Sequence, residues 1–168
     1  NYLSNFYYKY FLRNKSNTGL ISYKNNLDSF GEWFMQLWGE SLGKIKNDGI
    51  ATGLTPSRYL GPKDQHSQLQ LILDGPKDKT ITFISVINSK SGNQILNKSA
   101  LKGAFATYLA LSERKVPNIE LSIDLLNEEA LGELFLIFEL TTIVLAKKMK
   151  INPFDQPAVE LIKENLSF

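Results

Sequence analysis

Thr80-Ile81-Thr82-Phe83-Ile84-Ser85-Val86-Ile87 alternates along its length and is rich in β-branched and aromatic side chains, the types that fit a pleated, half-buried surface. It is read as a β-strand, and the rest of the chain is organised around it. Gly19-Leu20-Ile21-Ser22-Tyr23 is a short apolar run bounded by turn residues, as expected for a buried parallel strand. Ile119-Glu120-Leu121-Ser122-Ile123 reads as another strand. Helical patterns lie before, between and after them. Residues 1–13 bury one face through Leu3, Phe6, Tyr7, Tyr10 and Phe11, and Leu27 to Leu42 does so through Phe30, Phe34, Leu37 and Trp38, with Gly43 as terminator. A helix over Gln65 to Asp74 is expected to start from an Asp64 cap and to stop at Gly75-Pro76. Leu96 to Lys115 and, from an Asn127 cap, Glu128 to Lys150 complete the set. The segment Lys46 to Gln65, dotted with glycine and proline, predicts a long ordered loop. Parallel neighbours need a crossover that is usually helical, so the pattern predicts one α/β domain over residues 1–168. Its architecture is a three-layer α/β/α sandwich with a mainly parallel sheet, plus a C-terminal helix.

Composition narrows the class of function. At 43% hydrophobic and 21% charged residues the chain is an ordinary globular protein, neither disordered nor fibrous. A net charge of +2, with scattered lysines, gives no footprint for nucleic acid. The absence of cysteine excludes disulfides and thiolate metal sites, and one histidine without a ligand cluster argues against any metal. No apolar run approaches the roughly 18 residues of a membrane span, and no signal peptide is visible, so a cytoplasmic protein without membrane partners is expected. The first residue is Asn1, which fits a domain of a longer protein.

Three segments carry chemistry. Ile151-Asn152-Pro153-Phe154-Asp155-Gln156-Pro157-Ala158-Val159-Glu160-Leu161-Ile162-Lys163 spaces Gln156, Glu160 and Lys163 at i, i+4 and i+7, on one helical face beside a buried apolar one. A solvated terminal helix is the alternative. In Phe30-Gly31-Glu32-Trp33-Phe34-Met35-Gln36-Leu37-Trp38-Gly39-Glu40-Ser41-Leu42-Gly43-Lys44, Glu40 falls at a helix C-terminus, where the dipole disfavours an anion. In Gly61-Pro62-Lys63-Asp64-Gln65-His66-Ser67-Gln68-Leu69-Gln70-Leu71 the sole imidazole, His66, is flanked by side chains able to orient its nitrogens. A helix-end carboxylate in water and a structural histidine are the competing readings.

Together, and in this order, the segments resemble the glucose-6-phosphate isomerase family in its compact bacterial form. That family carries an aromatic-rich helix ending in Glu-Ser-x-Gly-Lys, a loop with Asp-Gln-His-Ser, and a C-terminal Phe-Asp-Gln-x-Gly-Val-Glu-x-x-Lys. The likeness runs from about Leu20 onward and includes Leu131-Gly132-Glu133-Leu134 and Phe138-Glu139. It implies the C-terminal of two phosphosugar-binding domains, with the N-terminal domain absent. It implies interconversion of glucose 6-phosphate and fructose 6-phosphate by ring opening and an enediolate proton transfer, without a cofactor. Glu40 would be the base, His66 and Lys163 would assist ring opening, and Gln156 would contact the phosphate. The family's histidine reaches a neighbouring subunit's site, so a homodimer is implied. Glu160 is better read as bonding the loop that holds Gln156.

Two departures from the family pattern stand out. Ala158 replaces a glycine, so the turn there must avoid positive φ or accept strain. Ala146 replaces a small glycine or serine, a change that a helix tolerates. Ser89-Lys90-Ser91-Gly92 lacks the succession of hydroxyls that a phosphate cradle needs and reads as a surface turn. Two other functions compete: an isomerase that also accepts mannose 6-phosphate, and a noncatalytic sugar-phosphate sensor on the same fold. The conjunction of Glu40, His66 and Lys163 disfavours the sensor, because ligand binding alone needs no base.

Overall fold

The computed structural model describes residues 2–88 and 93–166 of the chain. The Ser89–Gly92 segment therefore lies outside the described residues. A four-stranded parallel sheet runs in the order β4-β1-β5-β6, with β1 at Asn17–Ser22, β4 at Thr55–Leu60, β5 at Lys79–Asn88 and β6 at Asn118–Leu125. Helices α1 (Tyr2–Phe11), α2 (Asp28–Leu42) and α6 (Glu128–Met149) cover one face. Helices α4 (Leu69–Asp74) and α5 (Gln94–Glu113) cover the other.

Strand periodicity sorts the core. Leu20, Ile84 and Val86 face α2 and α6, while Ile21, Ile81 and Phe83 face α4 and α5. On the first face Phe30, Phe34, Trp38 and Phe138 form an aromatic cluster, each 3% exposed or less. Tyr7 of α1 shares a 2.5 Å hydrogen bond with the buried Thr82 hydroxyl, and burial pushes its phenol far above the ordinary tyrosine range. The connections obey one handedness. From β1 the chain crosses through α2 to β4 on one side, whereas from β5 it crosses through α5 to β6 on the other, so α2 and α5 fall on opposite faces.

The long loop predicted over 46–65 is not there. A small hairpin of β2 (Lys44–Ile45) and β3 (Ala51–Thr52) is followed directly by β4, an edge strand of the main sheet. Its sequence, Thr-Pro-Ser-Arg-Tyr-Leu, hides it: only Thr55 and Tyr59 have strong strand character, and a proline fits a strand that pairs on one side alone. Arg58 secures it to α2 by pairing with Asp28 and, at 3.0 Å, with Glu32. The helix predicted over 65–74 is two pieces, α3 (Lys63–Ser67) and α4, broken at Gln68 with φ −122°. Asp64 is not a helix cap. Its carboxylate instead accepts the Leu60 N–H at 2.7 Å and the Ser67 hydroxyl at 2.9 Å, tying α3 to the end of β4. The Asn127 cap forms as read, accepting the Ala130 N–H at 2.8 Å. No helix among the described residues is long and apolar enough to cross a membrane.

Candidate active site

Two long helices of one face end side by side at the N-terminal end of the sheet, and their ends build a cleft. Helix α2 stops at Gly43, whose N–H reaches Gly39 O at 3.3 Å. A Cβ added to Gly53 would sit 3.3 Å from Gly43 Cα, so the two glycines let the helix end meet the chain entering β4. Helix α6 closes with Lys150 in the left-handed region at φ 61°. The Ile151 N–H bonds Ala146 O at 3.1 Å and the Lys150 N–H bonds Lys147 O at 3.2 Å, the two bonds of a Schellman end. The chain then turns through Asn152, whose side chain accepts the Phe154 N–H at 3.1 Å and donates to Asp155 at 2.9 Å, before α7 (Pro157–Asn165) begins.

Glu40 and Gln156, 116 residues apart, meet in this cleft. Gln156 Nε2 donates to Glu40 Oε2 at 3.0 Å, and Gln36 Nε2 donates to Glu40 Oε1 at 3.1 Å, so both carboxylate oxygens are held by amides. The cleft encloses about 1050 Å³, and Lys46, Lys147 and Lys150 also line it. It is open, exposes a fixed carboxylate and is rimmed by cations, an arrangement suited to a small anionic molecule. Among the described residues no group of three or more histidine, aspartate or glutamate side chains could hold a metal ion.

The sequence alone assigns no role to Lys44 or Asp155, although both sit inside the quoted motifs. The Lys44 side chain is only 6% exposed, and its ammonium donates to the Asp155 carbonyl and pairs with its carboxylate at 3.1 Å. This clamps the turn before Gln156 onto the end of α2. The hydrogen bond from Lys44, reinforced by one from Asn152, holds the Asp155 carboxyl below its ordinary range. A depressed carboxylate pKa contributes stability that is present above the unfolded value and is lost as pH falls through the folded one. In urea denaturation the stability gap between the wild type and Asp155→Asn is therefore expected to hold constant from neutral pH down to about 4 and to close below it.

The other two site residues lie elsewhere. Lys163 is on α7, 66% exposed at its side chain, and its ammonium pairs with Glu160 at 2.7 Å; it does not line the cleft. Glu160 thus bonds Lys163 and not the loop backbone. The apolar side of α7, expected to be buried, is open on this chain, with Leu161 and Ile162 each 60% exposed, because α7 leaves the body after Pro157. Ala158 is helical, so the missing glycine causes no strain. His66 is exposed on α3, beyond the far end of β4 from the cleft. The six residues of β4 advance roughly 17 Å from Thr55 to Leu60. Glu40 and His66 of one copy therefore lie at opposite ends of the sheet.

The glucose-6-phosphate isomerase of Methanocaldococcus jannaschii is 37% identical over 167 residues, which is 92% of this chain and 40% of that protein. That of Campylobacter jejuni is 36% identical over 160 residues, 86% of this chain and 39% of that protein. The chain thus spans about two fifths of the length of these curated relatives. A hypothetical protein from Thermus thermophilus superposes with a TM-score of 0.85 at 28% identity, over 98% of this chain and 44% of the other. A glucose-6-phosphate isomerase from Chlamydia trachomatis superposes at 0.84 over 95% of this chain and 36% of the other; at 23% identity that likeness is one of fold. No protein-family model matches. Over about nine tenths of its own length, the chain is thus similar to part of the glucose-6-phosphate isomerases, at 37% identity.

Proposed function

We propose that this chain is the C-terminal phosphosugar-binding part of a longer cytoplasmic enzyme that interconverts glucose 6-phosphate and fructose 6-phosphate, in glycolysis and gluconeogenesis. One observation carries the reading: Glu40, held by two amides in an open cleft rimmed by lysines, in a chain 37% identical to a named isomerase. Glu40 takes the proton from the carbon beside the carbonyl of the opened sugar, and the electron pair moves onto the carbonyl oxygen as an enediolate. The resulting carboxylic acid returns the proton to the neighbouring carbon while the hydroxyl proton on the first carbon passes to the former carbonyl oxygen, so a new carbonyl forms and the enzyme is left with no net change. A placed general base of this kind contributes on the order of 10²- to 10⁴-fold in rate. Gln156, at the mouth of the same cleft, contacts the phosphate after releasing Glu40. Lys163 stabilises oxygen charge during ring opening.

His66 serves the site of a second copy in a homodimer, a role supported by its distance from Glu40 on the same chain. The N-terminal domain supplies the remaining phosphate contacts and the donor to the enediolate. Loss of one such donor typically costs about 2.7 to 4 kcal/mol of transition-state stabilisation. The isolated 168-residue chain is therefore expected to show no turnover of fructose 6-phosphate, whereas the full-length protein converts it in a coupled dehydrogenase assay. A full-length protein with no activity on either hexose phosphate would end this reading.

A further inference from the structure

Helix α3 has five residues, too few to hold itself together in water, yet both residues before His66 are anchored. Asp64 is bonded to the end of β4, as described. Gln65 Nε2 lies 2.6 Å from Tyr23 Oη, 2.7 Å from Thr107 Oγ1 and 3.3 Å from Gly103 O. The two hydroxyls are themselves 2.7 Å apart, closing a triangle between the end of β1, helix α3 and helix α5. Tyr23 is 9% exposed and Thr107 3%.

This triangle is an expensive way to fill space. Buried hydroxyls lose hydration, and an apolar pair of the same shape would pack as well without needing a partner. What they supply is direction, because a hydrogen-bonded amide has one orientation where an apolar side chain has several. Two glycines abut the Tyr23 ring: a Cβ on Gly61 would sit 2.4 Å from it, and one on Gly103 would sit 3.2 Å from it. Burial also raises the Tyr23 phenol above its ordinary range against the opposing hydrogen bonds from Thr107 and Gln65, so the donor persists at neutral pH. The imidazole of the next residue, His66, is exposed and makes no hydrogen bond or ion pair among the described residues.

We infer that Gln65, Tyr23 and Thr107 are positioning residues for His66: the buried triangle fixes α3 so that a single unpartnered imidazole is presented in one place outside the chain's own cleft. The inference rests on the reading that His66 acts on substrate. Misplacing a catalytic group by about 1 Å can cost on the order of 10²-fold, so a loosened α3 should be visible in turnover.

The test is a double-mutant cycle in the full-length protein. Thr107→Val and Gln65→Leu are each expected to lower kcat at least about tenfold with KM within about twofold, while Thr107→Ser, which keeps the hydroxyl, stays within about twofold of wild type. On a His66→Asn background, Thr107→Val is expected to cause no further loss of the residual turnover. Equal losses with and without the imidazole would reduce the triangle to ordinary packing and overturn the inference. So would unchanged kcat in Thr107→Val and Gln65→Leu when His66→Asn is impaired. If His66→Asn itself turns over normally, the catalytic reading of His66 fails first, and the inference with it. Should Thr107→Val not fold, the part-exposed Gln65→Leu carries the cycle.

Discussion

Glu40→Gln in the full-length protein is expected to lower kcat by about 10²- to 10⁴-fold while leaving KM within a few-fold. The substitution keeps the shape of the side chain and removes its charge and its capacity to accept a proton. Because Glu40 is exposed, the fold has little at stake. Its neighbours adapt: an amide oxygen can still accept from Gln36 or Gln156, although the second contact becomes donor against donor. Loss confined to kcat identifies an interaction made in the transition state and absent from substrate binding. Exchange of the substrate C2 proton with solvent should fall in parallel. A drop of less than about tenfold, or a loss carried wholly by KM, would remove Glu40 from the role of base.

The largest effect on stability is expected at Phe138. It is fully buried on α6, with ring centroids 5.6 Å from Phe30, 5.5 Å from Phe34 and 6.1 Å from Trp38, all edge-on. Truncation to alanine removes the transfer energy of the ring and leaves a cavity that rigid aromatic neighbours cannot collapse into, a cost of about 3 to 5 kcal/mol. For a chain of this size that corresponds to a fall in Tm of roughly 6 to 20 °C. Leu136→Ala, two residues earlier and 55% exposed, is expected to change stability by less than about 0.5 kcal/mol. Thermal melts of the two variants side by side check the contrast. Phe138 also matters to the site, because it packs α2 against α6 and the cleft lies where those two helices end. A Phe138→Ala protein that melts with the wild type would contradict the core described above.

The elements that can be read from the sequence are those whose pattern and burial agree. Strand β5 is buried on both faces over most of its length and is made of residues that prefer strands. Helix α6 begins at Asn127 because that side chain satisfies an otherwise orphan N–H. Strand β4 is illegible for the opposite reason: it is an edge whose stability comes from pairing with β1 and from Arg58, a long-range contact that no local pattern records. Asp64 misleads because a carboxylate just before a helical pattern looks like a cap whether it binds the helix or the strand behind it. Motif chemistry singles out Glu40 and Gln156, but their meeting depends on how α2 and α6 pack and on the Lys44 clamp. The role of Gln65 is out of reach, since its partners lie 42 positions away in either direction along the chain.

The span of β4 has a consequence for inheritance. On the proposed reading, a lesion at Glu40 disables the pocket of its own polypeptide, whereas a lesion at His66 disables the pocket next door. When both kinds of polypeptide assemble together, some pairs bring the intact acid of one parent to the intact ring of the other. Two alleles of one gene would then rescue each other, as if they belonged to separate genes.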